Sequence, residues 1–306
     1  MNILCATDLL LKSDPAIERA HRLRAALGAR LTLLHVVTPG EANEGTLEQR
    51  LLSANSRLAH RVRRSTAPVE LIVRCGRPAK VIADVARARR SGLIVIGPHQ
   101  PDPLTDAVKG TLTERIVGDT NCPVLVVRRE PRDAYHGVML ALDGSSTMRD
   151  VVDAAEALVI TPDSECVAIH AHEPPYEAMM TSVGVAGANV TQYASASIAQ
   201  AAEAIRRELR AHNRHPERYR LLIVEARPAP AIRRALKEVS PDLLVLGTRG
   251  HGRFRRALLG STANEVLGSA DCDVLLVPDN AVRAAKQGVG PRTAAKHPDD
   301  FGPGAA

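Results

Sequence analysis

The chain has 306 residues, of which 45% are hydrophobic and 2% aromatic, and its formal net charge is +6. This length suits two domains of ordinary size, each with an aliphatic core. Proteins that bind single-stranded nucleic acid usually stack bases on aromatic side chains, so the scarcity of aromatic residues argues against a nucleic-acid partner.

Cysteine usage and hydropathy indicate a cytoplasmic protein. The five cysteines are odd in number and never spaced C-x-x-C, which argues against a disulfide framework or a zinc site. The first ten residues, MNILCATDLL, resemble a first strand rather than a signal peptide. No segment approaches ~18 continuous apolar residues, so we expect no membrane span.

Short apolar runs alternate with amphipathic segments along the chain. The predicted strands of the first half are 2–6, 31–37, 69–74, 93–96 and 123–127, and its predicted helices are 15–27, 45–64, 79–89 and 111–118. Ser13-Asp14-Pro15 is a helix-start signal with a capping residue before proline, and Gly28 is a helix stop. Strand–helix alternation without hairpin signals predicts a parallel sheet with helices on both faces.

The second half repeats this pattern. Its predicted strands are 138–142, 166–170, 220–224, 243–246 and 274–277, and residues 130–137 are the predicted linker. After Asp279 the sequence loses its apolar periodicity, which is typical of disorder. We therefore predict a first domain over 1–130, a second domain over 137–280 and a disordered tail over 281–306.

The two halves are copies of one unit, as in a domain duplication. Residues 69–100 align without a gap with 219–250 at an offset of 150, whereas nearer the N-terminus the offset is 135. The matching pairs are Gly97 with Gly247, Gly110 with Gly260, Thr111 with Ser261, Asp8 with Asp143 and His35 with His170. The second copy has gained residues within 176–200, which form either a lid or a longer helix.

A glycine motif of the form G-x2-G-x9-G-S/T lies between two apolar strands of the second half. It is filled by Gly247, Gly250, Gly260 and Ser261. Glycines let backbone N–H groups approach an anion, and a helix N-terminus adds unpaired N–H groups and a favourable dipole. The motif predicts a phosphate-binding loop, with Ser261 as N-cap and phosphate contact and Thr262 supplying its own N–H.

Other residues join this predicted site. Asp143 ends a predicted strand, where it either contacts the ligand of this loop or caps the next helix. The loop also holds Gly252 and the positively charged or polar flanking residues Arg249, His251 and Arg253. His170 and His172 follow the second strand, and we expect hydrogen-bonded histidines there rather than zinc ligands.

The first half departs from the motif. Gln100 replaces the second glycine, and prolines at 98, 101 and 103 remove backbone donors and stiffen the loop. We therefore expect weak or no nucleotide binding in the first half. Its role would be that of a pseudo-twofold structural partner to the second, with or without a residual site of altered specificity. The arginine clusters, including Arg61, are interpreted as solvated helix faces.

With these residues the chain resembles the universal stress protein family in its tandem two-domain form, over residues 1–279. The resemblance rests on Asp143-Gly144-Ser145, on the glycine motif and on the closing Cys272-x-Val274-Leu275-Leu276-Val277. The resemblance implies two flavodoxin-like (Rossmann-like) domains, each a five-stranded parallel sheet with helices on both faces. It also implies ATP at the carboxyl ends of the strands, with Mg²⁺ or Mn²⁺ on the phosphates. Asp143 would then accept hydrogen bonds from ribose hydroxyls or from the adenine amino group.

The leading hypothesis is a cytoplasmic, ATP-binding stress-response protein that regulates a protein partner, with the nucleotide in the second domain and no catalytic residue. The first alternative is a slow ATPase, although residues 247–264 contain no carboxylate to hold a metal or orient water. The second is a nucleotide-free module that forms homodimers through its fifth strands. The G-x-G-x-x-G fingerprint of NAD and FAD binders is absent after the first strand of the second half, at residues 141–146.

Overall fold

The computed structural model describes residues 1–39, 45–62, 67–98, 110–145, 147–172, 187–212, 215–248 and 259–279. The strands are β1 (Asn2–Thr7), β2 (Arg30–Val37), β3 (Glu70–Cys75), β4 (Ser91–Ile96), β5 (Val124–Val126), β6 (Gly137–Ala141), β7 (Glu165–His172), β8 (Tyr219–Glu225), β9 (Leu243–Gly247) and β10 (Asp273–Val277). The α-helices are α1 (Asp14–Leu27), α2 (Leu47–Arg61), α3 (Pro78–Ala88), α4 (Leu112–Asp119), α5 (Met148–Leu158), α6 (Gly187–His212), α7 (Pro228–Val239) and α8 (Ser261–Ser269).

All ten strands belong to one sheet, in the order β3-β2-β1-β4-β5-β10-β9-β6-β7-β8. Within each half the paired strands are parallel, which confirms the predicted flavodoxin-like architecture. The two halves join where β5 and β10 pair antiparallel. The winding reverses beside β1 and beside β6, and in such sheets ligands bind outside the carboxyl ends of the strands at these points.

The core lies on both faces of the sheet because successive strand side chains point to opposite sides. Ile3 and Cys5 belong to the cluster on one face, and Leu4 and Ala6 belong to the cluster on the other. Each cluster contains buried residues from both halves. The tandem is therefore packed as one continuous two-faced core rather than as two separately closed cores.

The local signals of α1 are confirmed in part. Pro15 lies in its first turn, and Gly28 ends it with a φ of 58°. Ser13, however, makes no side-chain cap, because its hydroxyl donates to Asp8 Oδ1 at 2.6 Å instead. Ser13 is thus the N-cap residue before the predicted helix start, but its side chain stabilises the loop after β1.

The inserted segment of the second half contributes to a helix. Residues 187–200 open α6, which has 26 residues against 15 in its first-half counterpart α2. Residues 176–186 lie outside the described part of the chain, as does the predicted tail at 281–306. No helix within the described ranges is long and apolar enough to cross a membrane.

Arg61 at the end of α2 is not the solvated residue that its cluster suggested. Its guanidinium donates to the backbone carbonyl of Leu9 at 3.1 Å and forms an ion pair with Asp14. Arg57, one helical turn earlier, donates to the same Leu9 carbonyl at 3.1 Å. Helix α2 thus holds the loop after β1 in place through two arginines.

Candidate functional site

The loop after β6 holds Asp143 in a tight turn. Its Oδ1 accepts hydrogen bonds from the Ser145 amide at 2.9 Å and from the Ser145 hydroxyl at 2.6 Å. The side chain therefore stabilises its own turn rather than capping α5, whose N-cap residue is Thr147. Asp143 nevertheless lies at the carboxyl edge of the sheet, where the predicted site is located.

In each half, a histidine from the second strand contacts the end of the first strand or the residue that follows it. His35 Nδ1 lies 2.8 Å from the carbonyl oxygen of Thr7, and His170 Nδ1 lies 2.8 Å from that of Leu142. His172 Nε2 lies 2.8 Å from the Ser197 hydroxyl, and burial followed by the charge of His170 lowers the pKa of His172. These contacts match the expectation of hydrogen-bonded histidines, and within the described ranges no metal-type cluster of three or more His, Cys, Asp or Glu residues occurs.

The glycine motif spans the strand edge and the start of α8. Gly247 is the last residue of β9, and the Gly260 amide donates to the Thr248 carbonyl at 2.8 Å. Gly260 is the N-cap residue, so Ser261 and Thr262 occupy the first turn of α8. The prediction that Ser261 is the N-cap was therefore off by one residue, because the extended backbone at Gly260 already ends the loop. Arg249, Gly250, His251, Gly252 and Arg253 lie outside the described residues.

The start of α8 is not capped by a side chain. Among the residues that the structure describes, none supplies a side-chain cap to α8, and its first turn contains no acidic residue. Unpaired N–H groups at a helix start carry a partial positive charge that favours an anion. The described residues therefore leave the N–H groups at this helix start available to an anion.

The start of α4, the equivalent helix of the first half, is capped by side chains. Thr111 Oγ1 accepts the Glu114 amide at 3.2 Å, and Glu114 Oε2 accepts the Thr111 amide at 2.7 Å, which together form a capping box. The carboxylate of Glu114 satisfies a donor and places a negative charge where a phosphate would have to approach. Asn264 aligns with Glu114 in the second half, where it is the fourth residue of α8 because that helix begins one residue earlier in the alignment.

A cavity of about 700 Å³ lies in the first half, at the carboxyl ends of β1, β2 and β4. Asp8 and Gly97 line it, as do Arg50 and Arg57 from α2. Sequence reasoning missed these two arginines as site residues. Their spacing of seven residues, which places both on one helical face, was the available signal.

Comparison with known proteins identifies the family of the chain. A model described as the universal stress protein family matches the chain twice, over residues 1–128 and 134–278. The chain belongs to the universal stress protein family. A universal stress protein in the QAH/OAS sulfhydrylase 3′ region of Thermus aquaticus is 32% identical over 143 residues, which are 47% of this chain and 98% of that family member. That relative therefore corresponds to a single half of the tandem.

Solved structures of the family show the same fold across both halves. A universal stress protein from Archaeoglobus fulgidus has a TM-score of 0.64 at 17% identity, covering 91% of this chain and 96% of that one. A putative universal stress protein from Pseudomonas aeruginosa has a TM-score of 0.62 at 20% identity, covering 94% and 96%. At these identities the likeness concerns the fold.

Proposed function

We propose that this chain is an ATP-binding stress-response protein of the cytoplasm, which regulates a protein partner and holds its nucleotide in the second half. The observation that carries the proposal is the contrast between the two helix starts. Among the described residues, the first turn of α8 has neither an acidic residue nor a side-chain cap, whereas α4 is capped by Thr111 and Glu114. Only the second half also keeps every position of the glycine motif.

The parts of the proposed site converge at one edge of the sheet. Asp143 follows β6, Gly247 ends β9, and β6 pairs directly with β9. The adenosine end of the nucleotide would lie near Asp143, and the phosphates would lie against Ser261 and Thr262. Mg²⁺ or Mn²⁺ would accompany the phosphates, as these cations commonly do when they bind through a nucleotide.

The pairing of the fifth strands of the two halves, β5 and β10, limits which surfaces of the chain can bind a partner. β5 and β10 pair with each other inside one chain, so they do not offer free edges for the homodimer that the sequence suggested. β3 and β8 are the outer strands of the described sheet. We propose that a second copy of the chain, or the regulated protein, pairs with an outer edge or binds a helical face instead.

The experiment is to measure adenine nucleotide per chain in protein purified without added ligand, and again after incubation with ATP and Mg²⁺. The variant is Asn264→Glu, which copies Glu114 into the second half, and Asn264→Gln is the uncharged control of similar size. A carboxylate in the first turn of α8 interacts favourably with the helix dipole, so the variant should be about as stable as the parent protein. Loss of nucleotide could then not be ascribed to unfolding.

We expect about one ATP per chain in the parent protein and in Asn264→Gln, following the one intact motif, and strongly reduced ATP in Asn264→Glu. Retention of ATP by Asn264→Glu would contradict the placement at α8. Bound ADP in place of ATP would favour the slow ATPase. If none of the three proteins binds nucleotide, the nucleotide-free interaction module is the remaining hypothesis.

A further inference from the structure

The first-half cavity has the size and lining of a site for a small organic molecule. Its volume of about 700 Å³ falls within the range of ligand pockets. Ile82, Ile96 and Leu112 are among its apolar lining residues, and α2 contributes polar lining residues that include Ser53 and Arg57. This combination of an apolar surface with a few polar groups fits a ligand that has both an apolar body and a polar head.

The charges in the cavity favour an anionic head group. Among the described lining residues, Arg50 and Arg57 are the guanidinium groups and Asp8 is the acidic group. Asp8 Oδ1 already accepts hydrogen bonds from the Leu10 amide at 2.9 Å and the Ser13 hydroxyl at 2.6 Å. The described lining of the cavity therefore has two positive side chains and one carboxylate, whose charge is already stabilised by hydrogen bonds.

The arginines are held in position before any ligand arrives. Arg50 donates to the carbonyl of Thr38 at 3.0 Å, and Arg57 donates to that of Leu9 at 3.1 Å. A guanidinium carries five N–H donors in a fixed fork, so an arginine anchored to a carbonyl can also bind an anion. Anchoring lowers the entropy that binding would otherwise cost.

The first half does not present the phosphate-binding geometry of the second. Glu114 closes the start of α4, and Gly97 packs against Ser13, whose Oγ would lie 3.0 Å from a Cβ at that glycine. The anion-binding groups of this half lie on α2, not at the glycine loop. A triphosphate bound along the loop is therefore not the ligand that this cavity fits.

We propose that the first half binds a small organic anion whose single carboxylate, sulfonate or phosphate is held by Arg57 and Arg50. Its apolar body packs on Ile82, Ile96 and Leu112. This site is independent of the proposed ATP site, so the tandem carries two ligands of different chemistry. The duplication has thus produced two binding functions rather than one site and one inert partner.

The test is fluorescence titration of the full chain with 8-anilinonaphthalene-1-sulfonate, an apolar ring system with one sulfonate, in the presence of saturating ATP and Mg²⁺. Arg57→Met keeps the apolar stem and removes the charge. Arg61→Met is the matched control, because Arg61 donates to the same Leu9 carbonyl but does not line the cavity. Each variant leaves the other arginine on Leu9, so the loop keeps one of its two anchors.

We expect one probe per chain, affinity at least about tenfold weaker in Arg57→Met, and affinity near that of the parent in Arg61→Met. Ser53→Phe, which places a ring in the wall at an exposed position, should also abolish binding. Equal effects of the two arginine variants, or unchanged affinity in Arg57→Met, would overturn the proposal. Probe binding that occurs without ATP and Mg²⁺ but is lost in their presence would overturn the ligand class.

Discussion

Arg19 in α1 of the first half and Asp273 in β10 of the second form a buried ion pair, with Arg19 Nε 3.7 Å from Asp273 Oδ2. Their exposed fractions are 6% and 1%. The guanidinium carbon lies 3.9 Å from the centre of the Tyr135 ring, and the Tyr135 hydroxyl donates to Asp273 Oδ2 at 2.6 Å. The amides of Arg128 and Arg129 donate to the other oxygen. The carboxylate of one half is therefore satisfied by the other half and by the linker.

Replacing Arg19 with Met should destabilise the whole tandem. The change removes the only charge partner recorded for Asp273 among the described residues and leaves the carboxylate buried, which costs about 3–5 kcal/mol. Urea denaturation near neutral pH measures this loss. Because both core clusters run through the two halves, the transition should stay single rather than split into two.

The control for this prediction is Arg22→Met, on the exposed side of the same helix. Its ion pair with Glu18 joins side chains that are 40% and 53% exposed, and such pairs contribute under about 1 kcal/mol. The double variant Arg19→Met/Asp273→Asn should lose less stability than the two single variants added together. Additive losses would show that Arg19 and Asp273 are not coupled.

The capping box of α4 gives a second prediction. Glu114→Ala removes the acceptor for the Thr111 amide and should cost about 0.5–2 kcal/mol of unfolding free energy. Glu114→Gln keeps an acceptor at this position, so it should cost less than half as much. Equal losses in the two variants, measured by urea denaturation, would mean that the charge of Glu114 rather than its hydrogen bond stabilises the helix.

The sequence predicts the fold well because the signals that decide it are local and repeated. Apolar runs of strand length identify the ten strands, and the offset pairs place Asp8 and Asp143 at equivalent strand ends. The two aspartates also form equivalent turns, since each accepts an amide two residues later. Leu9 even shares the left-handed backbone of Gly144, with φ of 62° against 75°.

The site was harder to predict because it depends on contacts between distant segments. Arg57 meets the Leu9 carbonyl, and Ser13 meets Gly97, across separations that periodicity does not encode. The antiparallel pairing of β5 with β10 likewise has no local signature. The capping box at Thr111 and Glu114 does have a local signature, the pattern T-x-x-E. That pattern distinguishes the capped helix start of the first half from the aligned helix start of the second half.

Buried Cys5 predicts a loss of stability at alkaline pH. Burial raises the pKa of the Cys5 thiol from 9.0 to about 12. Below pH 9 the thiol is protonated in both the folded and the unfolded state. Between these two values it ionises only in the unfolded state, so stability falls as the pH rises, by up to about 1.4 kcal/mol per pH unit for this group.

Cys5→Ala removes that contribution and should make the alkaline decline shallower. The variant loses some packing, so its stability near pH 7 should be lower by about 1 kcal/mol. The two curves should then converge as the pH rises through the range above pH 9. Urea denaturation under reducing conditions at several pH values measures both curves, and parallel curves would show that the folded-state pKa of Cys5 is not raised.

Two glycines have open space around them, and replacing each with alanine should change the free energy of unfolding in opposite directions. A Cβ would meet nothing within 4 Å at either Gly28 or Gly268, so packing contributes to neither change. Gly28 ends α1 with a φ of 58°, where an alanine costs about 1 kcal/mol. Gly268 lies within α8, where alanine should add about 0.5–1 kcal/mol to the unfolding free energy. Urea denaturation of Gly28→Ala and Gly268→Ala against the parent protein measures both effects, and a shift of the same sign in the two variants would contradict this backbone explanation.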